Sequence, residues 1–190
     1  MAISLEKGQR VNLDKNDALN KLIIGLGWDI NAYDGSADFD LDVSVFLLND
    51  KGIAQSAEDF IFYNNLRSAN DAVVHMGDNR TGEGEGDDEQ IIVEIPKLAS
   101  HIKKLVFVIT IHDAEARAQN FGQVNNAFVR AVNESSNEEI LRYDLTEDFS
   151  VETALIAAEL YEHNGQWKFA AVGNGFSDGL RALLSQYGLS

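Results

Sequence analysis

The sequence predicts an all-β fold, a β-sandwich of two antiparallel sheets with a short C-terminal helix. Many short apolar or alternating segments are separated by turn sequences, only one late stretch has a clear helical pattern, and the single proline is Pro96. With 190 residues, 45% of them hydrophobic, the chain is long enough to form one stable core. We therefore expect a single domain over residues 1–190.

The individual elements follow from hydrophobic periodicity and from the turn residues between segments. Ser4–Leu13 predicts an opening hairpin or an edge strand, and Ala114–Asn120 predicts a surface loop or a helical turn. The most apolar segment, Lys104–His112, predicts a central strand. Further strands are expected over Lys21–Asp29, Asp38–Leu48, Phe60–Tyr63, Val73–Met76, Gln90–Ile95, Ala127–Asn133, Glu139–Leu145, Val151–Tyr161 and Trp167–Val172.

The C-terminal segment Leu180–Tyr187 predicts an amphipathic helix that ends at Gly188, with Ser177 or Asp178 as its N-terminal cap. The same region contains Gly175-Phe-Ser-Asp-Gly, which matches the G-x-S-x-G pattern of hydrolase nucleophiles. That mechanism requires a histidine later in the chain, and none follows Ser177. The capping interpretation is therefore favoured over a catalytic serine.

Composition excludes several classes of protein. The chain contains no cysteine, so disulfides and thiolate metal sites are absent. The formal net charge of −16 argues against nucleic-acid binding and against unassisted binding to an anionic membrane. No segment is long and apolar enough to insert in a bilayer, and the start lacks a signal-peptide pattern, so we expect a cytoplasmic protein.

Half of the net charge lies in two short stretches. The segment Asp78–Glu89, D-N-R-T-G-E-G-E-G-D-D-E, contains six carboxylates and one arginine, and Asp38, Asp40 and Asp42 alternate along a predicted strand. Glycines in the longer stretch allow its backbone to curl, so that carbonyl and carboxylate oxygens converge. Such oxygens are the ligands that calcium prefers. We interpret the two stretches together as a site for calcium, although a solvated acidic loop remains the simpler alternative.

Other metal sites fit the sequence less well. Neither acidic stretch has the glycine that an EF-hand requires at its sixth position. The four histidines, His75, His101, His112 and His163, lack the spacing of paired zinc or copper ligands and are expected to be surface or turn residues. Magnesium stays open, but a site so rich in acid favours calcium.

Several motifs closely resemble the TerD family of tellurium-resistance and stress-response proteins. They are G-L-G-W-D at 25–29, D-F-D-L-D at 38–42, F-Y-N-N-L at 62–66, G-D-N-R-T-G-E-G-E-G-D-D-E at 77–89 and I-H-D-A-E-A-R at 111–117. The resemblance implies a cytoplasmic, calcium-binding β-sandwich without known catalytic activity. It implies metal ligands at Asp38, Asp40, Asp42, Asp78, Asn79, Gly82, Gly84, Glu85, Asp87, Asp88 and Glu89. Asp29, Asn64, Asn65 and Asp113 are weaker candidates.

The leading hypothesis is a non-enzymatic, calcium-responsive scaffold or sensor that binds more than one calcium ion. Its expected partners are other tellurium-resistance proteins, including a membrane-anchored complex. Without cysteine, and with only Met1 and Met76, the chain cannot sequester tellurium through sulfur. Two alternatives stay open. One is a magnesium- or manganese-dependent hydrolase that uses the same carboxylates, and the other is a protein that binds lipid or carbohydrate through bridging calcium.

Overall fold

The computed structural model describes residues 2–13, 20–29, 39–77, 86–145 and 149–189. Within these ranges the chain forms short strands, two α-helices and a few single 3-10 turns. No helix there is long and apolar enough to cross a membrane. The strands are β1 (Ile3–Leu5), β2 (Arg10–Asn12), β3 (Lys21–Gly27), β4 (Leu41–Leu48), β5 (Phe60–Ile61), β6 (Val73–His75), β7 (Glu89–Glu94), β8 (Lys104–Ile111), β9 (Phe128–Asn133), β10 (Glu138–Asp144), β11 (Ala154–His163) and β12 (Gln166–Phe176). The helices are α1 (Ala114–Arg117) and α2 (Gly179–Gln186).

The strands form two six-stranded sheets. The first sheet has the order β1-β10-β9-β3-β7-β6, and the second has the order β2-β12-β11-β8-β4-β5. All pairs are antiparallel except β1 with β10, which run parallel. The two sheets are stacked so that β6 and β7, at one edge of the first sheet, lie against β5 and β4 at one edge of the second sheet.

Alternation of side chains divides the core into two parts. Inward-facing residues of both sheets, such as Ile24 of β3, Val43 of β4 and Phe107 of β8, form the main core between the sheets. Residues on the opposite face of the second sheet, including Phe46 and Val106, form a smaller core under α2. Helix α2 therefore covers part of the outer face of the second sheet, which fixes which strand residues stay accessible there.

The predicted sandwich and its closing helix are confirmed. Lys104–Ile111 lies between β4 and β11, as expected for a central strand, and the hairpin of β11 and β12 is present. Of the two alternatives for Ser4–Leu13, the edge strand is confirmed and the hairpin is wrong, because β1 and β2 are edge strands of different sheets. Asp178 occupies the N-cap position of α2, but its side chain makes no capping hydrogen bond.

Candidate functional site

The acidic loop lies between two paired strands, as the sequence predicts. Strand β6 pairs with β7 in the register His75 opposite Ile91 and Val73 opposite Val93. Only the last four residues of the loop, 86–89, belong to the described ranges. Six of the predicted metal ligands lie outside the described residues, namely Asp38, Asp78, Asn79, Gly82, Gly84 and Glu85. The described candidates are Asp40, Asp42, Asp87, Asp88 and Glu89.

Glu89 connects the two sheets. As the first residue of β7 it shares an inward-facing register with Ile91 and Val93, and its side chain is fully buried. Its Oε2 accepts a hydrogen bond of 2.6 Å from the backbone N–H of Val43, which belongs to β4 in the other sheet. Strand β5 pairs with β4 only at Val45 and Phe46, so Val43 lies beyond the end of that pairing. The Glu89 carboxylate therefore accepts the hydrogen bond that a neighbouring strand would otherwise accept from Val43.

His75 contacts the same peptide segment from β6. Its Nε2 lies 3.0 Å from the carbonyl oxygen of Val43 and 3.7 Å from Oε2 of Glu89. Its Nδ1 accepts a hydrogen bond of 3.1 Å from the N–H of Gly77. Because Nδ1 accepts, the proton of a neutral ring resides on Nε2, which donates to Val43. The expectation that His75 is a surface or turn residue is wrong, since the ring is buried between the sheets.

Asp87 lies on the outer face of the first sheet. Its Oδ1 accepts a hydrogen bond of 2.7 Å from Nε of Arg130, and its Oδ2 accepts one of 3.0 Å from Nε2 of Gln90. Only 1% of its side chain is exposed, because Arg130 covers it while also bonding Glu139. The hydrogen bond to Asp87 raises the pKa of Arg130, and the bond to Glu139 raises it further. In this arrangement Asp87 anchors the end of the acidic loop to β9.

Two glycines of β3 make room for this loop. A Cβ atom on Gly25 would lie 2.2 Å from the carboxylate of Asp87, and one on Gly27 would lie 2.4 Å from the ring of Phe128 and 2.8 Å from the carbonyl oxygen of Gly86. The neighbouring residues Ile24 and Leu26 face the core, so these glycines face outward. The G-L-G part of the family-like motif therefore has a steric function, which is to let the acidic loop pack directly on the sheet backbone.

Asp88 caps the end of β3. Its Oδ2 accepts a hydrogen bond of 2.9 Å from the N–H of Trp28, and its own N–H donates to the carbonyl oxygen of Leu26. Burial raises the pKa of Asp88, the Trp28 bond lowers it, and the negative charges of Asp87 and Asp29 raise it. The net shift is upward, so the ionised carboxylate is held where its surroundings disfavour negative charge. A cation at this position would relieve that penalty.

Asp40 and Asp42 lie at the start of the other acidic stretch. Asp42, the second residue of β4, lies opposite Thr110 and faces outward, with His112 Nδ1 3.7 Å from its Oδ2. Asp40 precedes the strand, with Arg117 NH2 3.9 Å from its Oδ2. The predicted strand begins later than expected, at Leu41 rather than at Asp38. Both aspartates are buried despite their charge.

Asp42 also lines a large open groove on the outer face of the second sheet. The groove has a volume of about 1380 Å³ and runs between α1 and the start of α2. Asp113 and Glu115 line the same groove, as do Ser177 and Arg181. Asp42 therefore faces the outer side of the second sheet and Asp87 faces the outer side of the first sheet. The nearby strands β4 and β7 are nevertheless connected by the hydrogen bond between Val43 and Glu89.

The weaker ligand candidates are placed apart from one another. Asp29 follows β3 and accepts a hydrogen bond from Asn126, near Asp88. Asn65 donates to the carbonyl oxygen of Phe60 and stabilises the turn after β5, and Asn64 is exposed in that turn. Asp113 is largely exposed, 3.5 Å from His112. Of this group only Asp29 lies near the end of the acidic loop.

The described residues thus bring the two acidic stretches to one end of the sandwich without forming a complete metal site. In the described ranges, no group of three histidine or acidic side chains is arranged to hold a metal ion. His75 and Arg130 were not among the site residues predicted from the sequence. Their only sequence signal is position, because His75 lies three residues before Asp78 and Arg130 lies at an outward-facing position of an apolar strand.

The amino-acid sequence matches the model of one known protein family over nearly its whole length. The model of the TerD domain matches residues 1–187. The chain belongs to the TerD family. The resemblance carried by the G-L-G-W-D and acidic-loop motifs is therefore confirmed over nearly the whole chain.

Relatives within the family are close. The chain is 62% identical over 190 residues to general stress protein 16U of Bacillus subtilis strain 168, covering 100% of this chain and 98% of that protein. It is 52% identical over 191 residues to tellurium resistance protein TerD of Serratia marcescens, covering 100% of this chain and 99% of that one. The family is one of tellurium resistance and stress response.

A solved structure has the same fold. The crystal structure of a homologue of telluride resistance protein (TerD) from Streptomyces coelicolor A3(2) matches with a TM-score of 0.69. The match covers 90% of this chain and 98% of that chain at 22% sequence identity. The TerD β-sandwich is thus kept in a distant sequence.

Proposed function

We propose that this TerD-family protein binds calcium at the acidic end of the sandwich and acts without catalysis, as a calcium-responsive scaffold or sensor in the stress response. In this proposal more than one ion binds at this end: the acidic loop supplies ligands on the side of the first sheet, and the start of β4 supplies ligands on the side of the second sheet. The partners are other tellurium-resistance proteins, including a membrane-anchored complex. The bound ion neutralises the acidic loop, so that the surface around it presents a different charge to a partner.

The observation that carries the proposal is the contact between Glu89 and Val43. This hydrogen bond, together with the His75 contact to the same residue, fixes the beginning of β4 beside the end of the acidic loop. Carboxylates from distant parts of the sequence are therefore held on a rigid pair of strands, which is the support that a binding site needs.

The electrostatics of the described carboxylates also support a cation. Burial raises the pKa of Asp88, and the nearby charges of Asp87 and Asp29 raise it further, so a bound cation would stabilise the ionised carboxylate. Arg130 neutralises Asp87, which makes Asp87 a loop anchor and leaves Asp88 as the best described ligand candidate. The oxygen-only donor set fits a hard cation such as calcium or magnesium and does not fit zinc or copper.

Calorimetric titration of metal-free protein with calcium and with magnesium tests the proposal. We expect saturable binding of calcium that is tighter than binding of magnesium, and a melting temperature several degrees higher at saturating calcium, since a ligand of the folded state stabilises it by mass action. A calcium titration that gives neither measurable heat nor a shift in melting temperature would exclude the proposal. Preference for magnesium would favour the metal-dependent hydrolase, to be tested by turnover of phosphoesters or glycosides.

The scaffold role has its own test. With calcium and with chelator, the protein is passed over immobilised tellurium-resistance proteins, and retention only with calcium is expected. Pelleting with anionic vesicles in calcium, with no retention by those proteins, would instead show a protein that binds lipid through bridging calcium.

A further inference from the structure

An uncovered part of the second sheet carries cations without partners. The side chains of Lys7, Arg10 and Lys168 form no ion pair or hydrogen bond with any other described residue. Lys7 and Arg10 flank the turn before β2, and Lys168 lies on β12, the strand that pairs with β2. In a chain of net charge −16 a basic side chain has many acidic residues to pair with, so three unpaired cations on one face need an explanation.

Most other basic residues of the described chain do have acidic partners. These are Lys21 with Glu94 and Glu134, Arg67 with Asp71, Lys97 with Glu94, Lys103 with Glu162, Lys104 with Glu159, Arg117 with Asp40, Arg130 with Asp87 and Glu139, and Arg142 with Asp144. Lys51 and Arg181 are the further described residues without such a pair, and each lies elsewhere. Three of the five unpaired cations of the described residues are thus grouped on β2, on β12 and in the turn before β2.

Strand register places these cations side by side. Arg10 lies opposite Ala170 of β12, and Lys168 lies opposite Asn12 of β2 and Tyr161 of β11. Arg10 and Lys168 are therefore diagonal neighbours on one face, with Cα atoms about 7–8 Å apart. That face is the outer one, since the intervening residue Phe169 belongs to the main core. Long basic side chains at this spacing can converge on one anion.

The cations line two adjoining clefts rather than a flat surface. One cleft has a volume of about 430 Å³ and includes Lys7, and the other has a volume of about 290 Å³ and includes Lys168. Arg10 and Tyr161 line both, so the two clefts are continuous. The single carboxylate among the lining residues, Glu159, is already bonded to Nζ of Lys104 at 3.1 Å. The charged side chains that remain are the three unpaired cations, which are suited to an anion.

The described carboxylates of the acidic end lie away from this face. The clefts lie where β11 ends and β12 begins, at the β2 edge of the second sheet, whereas the start of β4 and the start of β7 lie at the other end and toward the opposite edge. Among the described residues, the positive charges of Lys7, Arg10 and Lys168 therefore have no carboxylate partner.

From these observations we propose that the two clefts bind a small, soluble anion that carries two or more phosphate groups. A compact phosphate has more charge than a carboxylate and three acceptor oxygens, which suits several converging cations. A membrane or nucleic acid is disfavoured, because an extended polyanion is repelled by the overall negative charge of the protein, which is −16. A small anion interacts mainly with charges within the screening length of about 8 Å. None of the exposed large apolar side chains of the described residues lines the clefts, as membrane insertion would require.

Titration with inorganic tripolyphosphate tests the proposal, in buffer without divalent cations because polyphosphates chelate them. We expect saturable binding that weakens as ionic strength rises. Arg10→Ala and Lys168→Ala should each weaken it about tenfold, as expected for loss of one charge-assisted contact. Lys51→Ala is the matched control. It removes an unpaired, exposed lysine from a turn three strands away in the same sheet and should leave binding unchanged.

Three results would overturn the proposal: no binding of tripolyphosphate, equal weakening by Lys51→Ala, or binding only to vesicles of equal parts phosphatidylserine and phosphatidylcholine. The variants change accessible side chains, so melting temperatures should match that of the parent protein and show that any loss is not due to unfolding. Because the clefts and the acidic end are separate, failure here is distinguishable from failure of calcium binding.

Discussion

The carboxylate of Glu89 accepts a hydrogen bond of 2.6 Å from the backbone N–H of Val43, across the space between the two sheets. Glu89 ends the acidic loop, and Val43 follows the D-F-D-L-D motif by one residue. A fully buried acidic side chain is uncommon unless it is bonded. The contact therefore explains how two acidic stretches about forty residues apart come to lie at one end of the sandwich.

Truncation of this carboxylate should destabilise the fold. Glu89→Ala leaves the N–H of Val43 buried without its acceptor, and we expect a loss of about 1–3 kcal/mol in the free energy of unfolding. Glu89→Gln keeps a carbonyl oxygen and should lose less. Chemical denaturation measures both. Glu94→Ala, on the same strand but half-buried beside Lys97, is the control. A fully stable Glu89→Ala protein would show that the contact does not hold the sheets together.

His75 and Glu89 should be energetically coupled, since both contact Val43. His75→Leu removes the donor to the carbonyl oxygen of Val43 and the acceptor for Gly77. In a double-mutant cycle with Glu89→Gln we expect a coupling energy of about 0.5–3 kcal/mol, because residues in one hydrogen-bond network do not act independently. Additive effects would mean that the two side chains act separately on β4.

Gly25 should tolerate no side chain while Asp87 is present. Gly25→Ala places a methyl group 2.2 Å from the Asp87 carboxylate, and we expect a destabilisation of about 1–3 kcal/mol from overpacking and from displacement of Asp87 from Arg130. The same substitution in an Asp87→Ala background should cost less, because the obstructing group is gone. Denaturation of the four proteins measures this difference, and an equal cost in both backgrounds would refute the steric explanation.

Asp88→Asn tests the proposed calcium site. The amide oxygen can still accept from Trp28, so the fold should remain, while one negative charge is lost beside the acidic loop. We expect calcium affinity to fall about tenfold, measured by calorimetry. Asp50→Asn removes the same charge from an exposed turn and is the control. Unchanged affinity in Asp88→Asn, or an equal fall in both variants, would remove Asp88 from the set of ligands.

Alkaline pH should weaken the packing of the C-terminal helix. Burial against Phe46, and then the charge of Glu159, raises the pKa of Tyr187 to about 12, while a hydrogen bond from Gln186 opposes this. In the unfolded chain the phenol ionises near its ordinary value of 10.0. The contribution of the protonated Tyr187 phenol to the free energy of unfolding is therefore complete below pH 10 and is lost as pH rises toward 12.

The measurement is the free energy of unfolding across that range, with tyrosinate absorbance recorded in parallel. Tyr187→Phe should lose less stability between these pH values than the parent protein, and one tyrosine that ionises near pH 12 should disappear from the absorbance titration. Tyr63→Phe, which alters an exposed ring, should leave the stability profile and the ionisation near pH 12 unchanged. A parent protein and a Tyr187→Phe variant with the same alkaline profile would contradict the assignment.

Much of the fold follows from local sequence. Alternating and apolar segments predict the strands because the side-chain period of a strand is two, and Leu180–Tyr187 predicts the helix because its apolar residues recur at helical spacing. The edge strand predicted as one alternative for Ser4–Leu13 is present, but the sequence could not exclude the hairpin, since β1 and β2 are separated by only four residues and pair with strands more than 120 residues away. Such pairing depends on which sheet edge is free and not on the turn between the strands.

The sequence by itself determined the chemistry of the candidate site: an excess of carboxylates, glycines beside them, no thiols, and motifs specific enough to indicate the TerD family. Only the tertiary structure decided how those carboxylates are used. It engages Glu89 with Val43, neutralises Asp87 with Arg130, raises the pKa of Asp88, and directs Asp42 to the opposite outer face. The reason is that a carboxylate's role depends on its partners and burial, and these come from strands that are distant in sequence and adjacent only after folding.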